Sequence, residues 1–146
     1  MELSTQYGGS IRIGNNCILY KHASLFTHGG NIEIGNNCTI NPYTVIYGQG
    51  NLKIGNGVRI AALSTIVPSN HVFSDADKPI FQQGLSMKGI TIEDDVWIGS
   101  GVRVLDGVVI AKGCVIGAGS VLTKSTEPYG VYVGIPAKLI KFRGNV

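Results

Sequence analysis

Residues 92–122 read IEDDVWIGSGVRVLDGVVIAKGCVIGAGSVL, and a large aliphatic residue stands at every sixth position of this stretch. These positions, which we call leaders, are Ile92, Ile98, Val104, Ile110, Ile116 and Leu122. A small or medium residue, such as Val96 or Cys114, usually follows four places after a leader. A period of six fits neither the 3.6-residue period of an α-helix nor the simple alternation of a long β-strand. The stretch therefore predicts a structural repeat.

The same spacing extends towards the N-terminus. Earlier leaders are Ile13, Leu19, Leu25, Ile34, Ile40, Ile46, Ile54, Ile60 and Ile66. This pattern is typical of a parallel β-helix, in which three short strands make a triangular coil of about eighteen residues. Gly, Asn and Asp after the leaders suit the positive φ that corners need. We expect one all-β domain over residues 1–146, with coils at about 11–67 and 90–124 and a C-terminal tail at about 125–146.

The repeat stops over residues 68–89, PSNHVFSDADKPIFQQGLSMKG, and then resumes in step. A loop that leaves a rigid prism is a common place for functional residues. This loop carries His71, and the whole chain has only three histidines. Imidazole takes up a proton near neutral pH, which suits a general base. Asp75 or Asp77 could orient the ring, whereas His22 and His28 are expected at the surface.

Composition excludes several classes of protein. The formal net charge of +3 is too small to indicate nucleic-acid binding by itself. No apolar run approaches the roughly 20 residues of a membrane helix, and we expect no signal peptide. The three cysteines occupy the small inward position of the repeat, with Cys17 and Cys38 in neighbouring coils. They are expected to be core filler in a reducing, cytoplasmic setting.

Three segments add a resemblance to a known family. VWIGSGVRVLDGVVI (96–110), VIGAGSVLTK (115–124) and VGIPAKLIK (133–141), together with His71, resemble the hexapeptide-repeat acyltransferases. More narrowly, they are similar to the sugar and xenobiotic O-acetyltransferase branch, over about residues 11–143. The resemblance implies a left-handed β-helix and a homotrimer. It also implies that acetyl-CoA lies between two prisms, where the loop histidine of one subunit reaches it.

The resemblance further implies which residues bind the donor and the acceptor. Positions that contact acetyl-CoA in this branch are matched here by Ser100, Ala118, Thr123, Lys124, Lys138 and Lys141. Lysine stands at the last two positions where arginine is common, and it lacks the bidentate fork of arginine. Asn41 matches a substrate-binding asparagine, and Tyr20 shares its column. Gln49 stands near where the branch has a carboxylate, which leaves the acceptor open.

Four functions compete at this stage. The first is O-acetylation of a sugar or polysaccharide-precursor hydroxyl by acetyl-CoA, with His71 as general base. The second is N-acetylation of an amino sugar or a serine-type amine. The third is a metal enzyme like the γ-class carbonic anhydrases, although the histidine spacing is unlike theirs and no metal is expected. The fourth is a non-catalytic β-helical scaffold.

Overall fold

A computed structural model describes residues 1–144, and the chain there forms a parallel β-helix of short strands. The strands are β1 (Glu2–Ser4), β2 (Ser10–Ile13), β3 (Ile18–Leu19), β4 (Ser24–Phe26), β5 (Asn31–Ile34), β6 (Thr39–Ile40), β7 (Val45–Tyr47), β8 (Leu52–Ile54), β9 (Arg59–Ile60), β10 (Thr65–Ile66), β11 (Asn70–His71), β12 (Leu85–Ser86), β13 (Ile90–Ile92), β14 (Trp97–Ile98), β15 (Arg103–Val104), β16 (Val109–Ile110), β17 (Val115–Ile116), β18 (Val121–Leu122), β19 (Gly130–Gly134) and β20 (Ala137–Phe142). A 3₁₀ turn covers Ile80–Gln82, and no helix in residues 1–144 is long and apolar enough to cross a membrane. The predicted domain and its C-terminal tail extend to residue 146. Residues 145–146 lie outside the part of the chain that the structure describes.

The strands form three faces of a prism. Sheet A contains β1, β4, β7, β10, β15 and β18; sheet B contains β2, β5, β8, β13 and β16; sheet C contains β3, β6, β9, β14, β17, β19 and β20. The chain visits B, C and A in turn, and the coil strands pair in parallel with leader opposite leader. Ile54 pairs with Ile92 in this way, and Ile66 pairs with Val104. The predicted all-β prism is confirmed, and its left-handed winding stays a prediction from the resemblance.

The leaders form the core. Leu25, Ile46, Ile66, Ile98 and Ile116 are completely buried. Burying one such side chain stabilises the fold by roughly 1.5–3 kcal/mol. Ile13 lies on β2, an edge strand of sheet B, and remains 37% exposed.

The cysteines line the corner between sheets B and C. Cys38 and Cys114 are buried, Cys17 is half-buried, and all three are free thiols. The expected stacking is present, because the Cys38 backbone N–H lies 3.5 Å from Cys17 Sγ. Burial raises the pKa of the Cys38 thiol.

An asparagine ladder closes the same corner. Asn15 N–H donates to Asn36 Oδ1 at 2.7 Å, Asn36 N–H to Asn56 Oδ1 at 2.8 Å, and Asn56 N–H to Asp94 Oδ1 at 2.7 Å. The next residue in each coil takes the positive φ that the corner residues predict, as in Asn37 at 58° and Asp95 at 57°. Short polar side chains tolerate this conformation and satisfy the backbone of the neighbouring coil.

Two parts of the chain lie outside the regular coils. The interruption folds back on itself as an antiparallel pair, with Asn70 opposite Ser86 and His71 opposite Leu85. The C-terminal segment forms a hairpin in which β19 extends sheet C and β20 pairs antiparallel with it. Ser120 Oγ accepts the Gly134 N–H at 3.0 Å and ties this hairpin to the last coil.

Candidate active site

His71 lies at the end of sheet A, where the interruption leaves the prism. Its side chain is exposed and lines a cavity of about 340 Å³ at the corner between sheets A and B. This volume is at the lower end of small-molecule sites, which span roughly 300–1,000 Å³. The cavity, which we call the His71 pocket, is also lined by His28, Tyr47, Gln49, Val67, Ser69, Asn70 and Leu85.

Asp106 anchors the returning strand that pairs with His71. Its Oδ1 accepts the backbone N–H groups of Lys88 at 2.9 Å and Gly89 at 3.0 Å, while Oδ2 accepts Ser86 Oγ–H at 3.2 Å. An ionised carboxylate makes stronger hydrogen bonds than a neutral acceptor. Asp106 therefore holds β12, and through it β11, against the coil.

The two loop carboxylates do not reach the imidazole. Asp75 Oδ1 accepts the Asp77 backbone N–H at 3.0 Å. Gln83 fixes the same turn, since its Nε2 donates to Asp75 O at 2.9 Å and its Oε1 accepts the Asp75 N–H at 3.1 Å. Within residues 1–144 neither carboxylate hydrogen-bonds His71, so the suggested orienting role has no contact behind it.

Aromatic rings form one wall of the His71 pocket. The ring centroids of His28 and Tyr47 lie 5.2 Å apart, and Phe26 lies 5.8 Å from His28 and 5.9 Å from Tyr47. His28 is half-buried and lines the pocket, whereas the sequence predicted only that it lies at the surface. Phe26, Tyr47 and Val67 each stand one place after a sheet A leader. Because leaders point inward, the residues after them point outward, and this pattern in the sequence could have located the aromatic wall.

Ser100 and Ala118 stack at the corner between sheets C and A, as their spacing predicts. The Gly119 N–H donates to Ser100 O at 2.8 Å, and Ser100 Oγ donates to Ala62 O at 2.8 Å. The column therefore runs through three coils. It lies at the opposite edge of sheet A from His71.

Thr123 and Lys124 follow β18 at the end of sheet A. Both side chains are exposed. They occupy the same corner as His71 but lie two coils further along the prism, since β15 separates β18 from β10.

A register shift brings Lys138 and Lys141 to one face of the C-terminal hairpin. Val133 pairs with Lys138 and Val131 with Lys141, and Ile140 is the extra residue between them. Residues two apart on β19 share a face, so their partners do as well. Both lysines are exposed and make no ion pair within residues 1–144.

Tyr20 and Asn41 are neighbours, but neither lines the His71 pocket. They follow Leu19 and Ile40, which pair in sheet C, so both lie at the corner between sheets C and A. Asn41 Nδ2 donates to Ile60 O at 2.8 Å, which commits its amide nitrogen to the neighbouring coil. One chain therefore does not bring these two residues to His71.

A larger groove lies elsewhere, on sheet B. It has a volume of about 600 Å³ and is lined by Arg12, Glu33 and Lys53 among others. Charges of both signs alternate across it, and it contains no histidine or cysteine side chain. The smaller His71 pocket is the better candidate site because it combines a candidate base with a concave apolar wall. Residues 1–144 contain no group of three or more His, Cys, Asp or Glu that could hold a metal ion.

Comparison with known proteins agrees with the coil architecture. The model of the bacterial transferase hexapeptide (six repeats) matches residues 89–124. A probable acetyltransferase of Mycobacterium tuberculosis is 31% identical over 138 residues, which cover 94% of this chain and 44% of that protein. The galactoside O-acetyltransferase of Escherichia coli is 36% identical over 141 residues, which cover 92% and 55%. The repeat match and these two acetyltransferase relatives support the hexapeptide-repeat acyltransferase family.

This hexapeptide-repeat chain also superposes on a solved structure with bound ligands. That structure is a variant of AntD, an N-acyltransferase from Bacillus cereus, in complex with dTDP-4-amino-4,6-dideoxyglucose and coenzyme A. The TM-score is 0.81 at 25% identity, and the match covers 98% of this chain and 81% of AntD. The chain spans about half the length of the curated relatives described above.

Proposed function

We propose that the chain is an acetyl-CoA-dependent O-acetyltransferase acting on a sugar or polysaccharide-precursor hydroxyl. The observation that carries this proposal is the position of His71, which a hairpin outside the coils presents to a concave pocket. A flat β-helix face cannot surround a reacting group, whereas a hairpin at its edge can exclude water from one side. His71 then acts as the general base.

The reaction is a direct transfer. His71 removes the proton from the acceptor hydroxyl as that oxygen attacks the thioester carbonyl of acetyl-CoA. The carbon–oxygen bond forms, and the tetrahedral intermediate collapses by breaking the carbon–sulfur bond. Coenzyme A leaves as the thiolate, which recovers the proton from the imidazolium. Backbone N–H groups near the carbonyl would stabilise the oxyanion.

The donor would lie along the corner that contains Ser100 and Ala118. Lys138 and Lys141, on one face of the hairpin that extends sheet C, supply positive charge for the phosphates of coenzyme A. Thr123 and Lys124 would meet the donor from the His71 corner. Because sheet A separates the two corners within one chain, a complete site needs residues from two subunits, which agrees with the homotrimer that the resemblance implies.

Two relatives support the acyl transfer, and one of them suggests a second acceptor. The E. coli galactoside enzyme favours a sugar hydroxyl. AntD is an N-acyltransferase whose structure holds an amino-sugar nucleotide and coenzyme A. Amino-sugar N-acylation is therefore the second candidate, and the same imidazole could take the proton from an attacking amine.

The test is release of coenzyme A from acetyl-CoA in the presence of sugars, amino sugars and amino acids. His71→Ala is expected to lower kcat for the accepted substrate by about 10²–10⁴-fold while leaving coenzyme A affinity nearly level. The matched control is His22→Ala, because His22 is an exposed histidine that stacks on Tyr43 outside the His71 pocket. Near-parental kcat in His71→Ala would remove His71 as the base. Failure of the parent to release coenzyme A with any acceptor would contradict the function itself.

A further inference from the structure

The His71 pocket has an apolar wall beside its candidate base. His28 and Tyr47 face each other with an interplanar angle of 32°, and both rings are half-buried. Val67 and Leu85 add aliphatic surface to the same lining. Such a wall binds a ligand that offers a flat, partly apolar face.

Besides the imidazoles of His28 and His71, the polar groups of the pocket are neutral amides and hydroxyls. Ser69 Oγ donates to Gln49 Oε1 at 3.1 Å. This bond fixes the amide and leaves Gln49 Nε2, which has no partner within residues 1–144, to donate to a ligand oxygen. Asn70 adds a second amide.

Charged side chains are missing from the pocket lining as far as the structure describes it. None of the lining residues is Asp, Glu, Lys or Arg. A free amino acid such as serine brings a carboxylate and an ammonium group, and desolvating either without a partner is unfavourable. An amino sugar brings an ammonium group with the same difficulty. A neutral pyranose needs only hydrogen bonds for its hydroxyls and an apolar surface for its C–H face.

The aromatic wall continues past the pocket. A second cavity of about 260 Å³ is lined by Ser4, Gln6, Phe26, His28 and Tyr47. His28 and Tyr47 therefore border both cavities, and the second one lies further from His71 along sheet A. A ligand of more than one ring could lie across the ring pair with only its first ring at the base.

The geometry points to an acceptor subsite for neutral pyranosides, with His28 and Tyr47 as the stacking surface and Gln49 as the hydroxyl-binding group. This inference rests on the proposed function and names its acceptor class as cyclic and uncharged. It replaces Asn41 and Tyr20, which lie at another corner, as the residues of the same chain that bind the acceptor ring.

The experiment measures binding before it measures chemistry. Methyl glycosides of common hexoses, together with glucosamine and serine as charged probes, are titrated against the parent by ligand-observed NMR without acetyl-CoA. We expect at least one methyl glycoside to bind, more tightly than glucosamine or serine. Tyr47→Ala should weaken this binding by about ten- to a hundredfold because both ring contact and buried area are lost. Tyr47→Phe, which keeps the ring, should stay within about threefold of the parent.

The control and a second variant keep the test decisive. Tyr43→Ala removes a tyrosine that also stacks on a histidine, His22 at 4.9 Å, but lies outside both cavities, so glycoside binding should not change. Gln49→Ala should weaken glycoside binding by about tenfold through loss of a hydrogen bond, even if Tyr47→Ala folds poorly. Equal binding by the parent and both pocket variants, equal loss in Tyr43→Ala, preference for serine, or no glycoside binding would overturn the subsite.

Failure of the subsite and failure of the function give different results. If coenzyme A release occurs but the acceptor KM is the same in Tyr47→Ala and the parent, the subsite is wrong and the transferase activity stands. If glycosides bind and Tyr47→Ala abolishes their binding, yet no coenzyme A is released, the subsite stands and the transferase activity is wrong.

Discussion

Removal of the Asp106 carboxylate should loosen the hairpin that carries His71. Asp106 makes three hydrogen bonds to the returning segment, and those to Ser86 and Gly89 are partly buried. A hydrogen bond to a charged group contributes about 1.5–3 kcal/mol, and water can replace the exposed one to Lys88. Counting only the two partly buried bonds, each at the lower end of that range, Asp106→Ala should destabilise the hairpin by about 3 kcal/mol.

Amide hydrogen exchange measures this change without any substrate. The Val72 N–H donates to Gly84 O at 3.1 Å and does not touch Asp106, so it reports opening of the hairpin. Since about 1.4 kcal/mol corresponds to a tenfold change, its exchange should accelerate by roughly 150-fold in Asp106→Ala. Asp106→Asn should lie between the parent and the alanine variant, because its Oδ1 still accepts both backbone amides.

Asp77→Ala is the matched control for charge. It removes a carboxylate from the same hairpin, and within residues 1–144 that carboxylate accepts no hydrogen bond. Its exchange rate at Val72 should match that of the parent. If Asp106→Ala folds and its Val72 exchanges at the parental rate, the reasoning that Asp106 secures the hairpin is refuted.

The core, the thiols, the C-terminal hairpin and the assembly give further expectations. Ile98→Ala should lower the free energy of unfolding by about 2–5 kcal/mol in chemical denaturation, whereas Val109→Ala, at a side chain 39% exposed, should lower it by less than about 1 kcal/mol; equal losses would contradict an inward leader column. Because burial raises the pKa of Cys38, the unfolded chain loses this proton at lower pH than the folded one. Stability should therefore fall as the pH rises through the alkaline range, and Cys38→Ala should flatten that dependence in denaturation curves recorded at several pH values; an unchanged slope would argue against the shift. Lys138→Ala and Lys141→Ala should raise the KM for acetyl-CoA more than they lower kcat, and unchanged titrations at low ionic strength would make the two lysines a solvated surface. Mass measurement in solution should give a trimer, and a stable active monomer would contradict the shared site.

The repeat was predictable because the inward position of each leader follows from the six-residue spacing alone. A residue at every sixth position must point inward in any coil, so Ile92 and Ile98 could be assigned without knowing their neighbours. The interruption was visible for the same reason, as a break in that period. Its internal pairing was not visible, because contacts such as Ser86 with Asp106 join segments that share no period.

The site was predictable only where it follows the coil register. Ser100 and Ala118 stack as their spacing indicates, whereas the place of His28 in the pocket wall was not predicted. The rings of Tyr7, Phe26 and Tyr47 surround it, and this packing arises from residues that are distant in sequence. The common face of Lys138 and Lys141 depends on one extra residue in β20, which the sequence does not mark.

The coil keeps its register on both sides of the interruption, and this has a consequence for how such a protein diversifies. Sheet B continues from β8 to β13 and sheet A from β10 to β15 with leaders still opposite leaders, as though the intervening residues were absent. Closing a flexible loop becomes only about 0.6 kcal/mol less favourable when its length doubles. The segment can therefore grow, shrink or be exchanged between homologues while the prism is inherited intact. Replacing the 68–89 segment would change the part of the His71 pocket that this segment lines, including Ser69 and Leu85, without redesign of the scaffold that supports it.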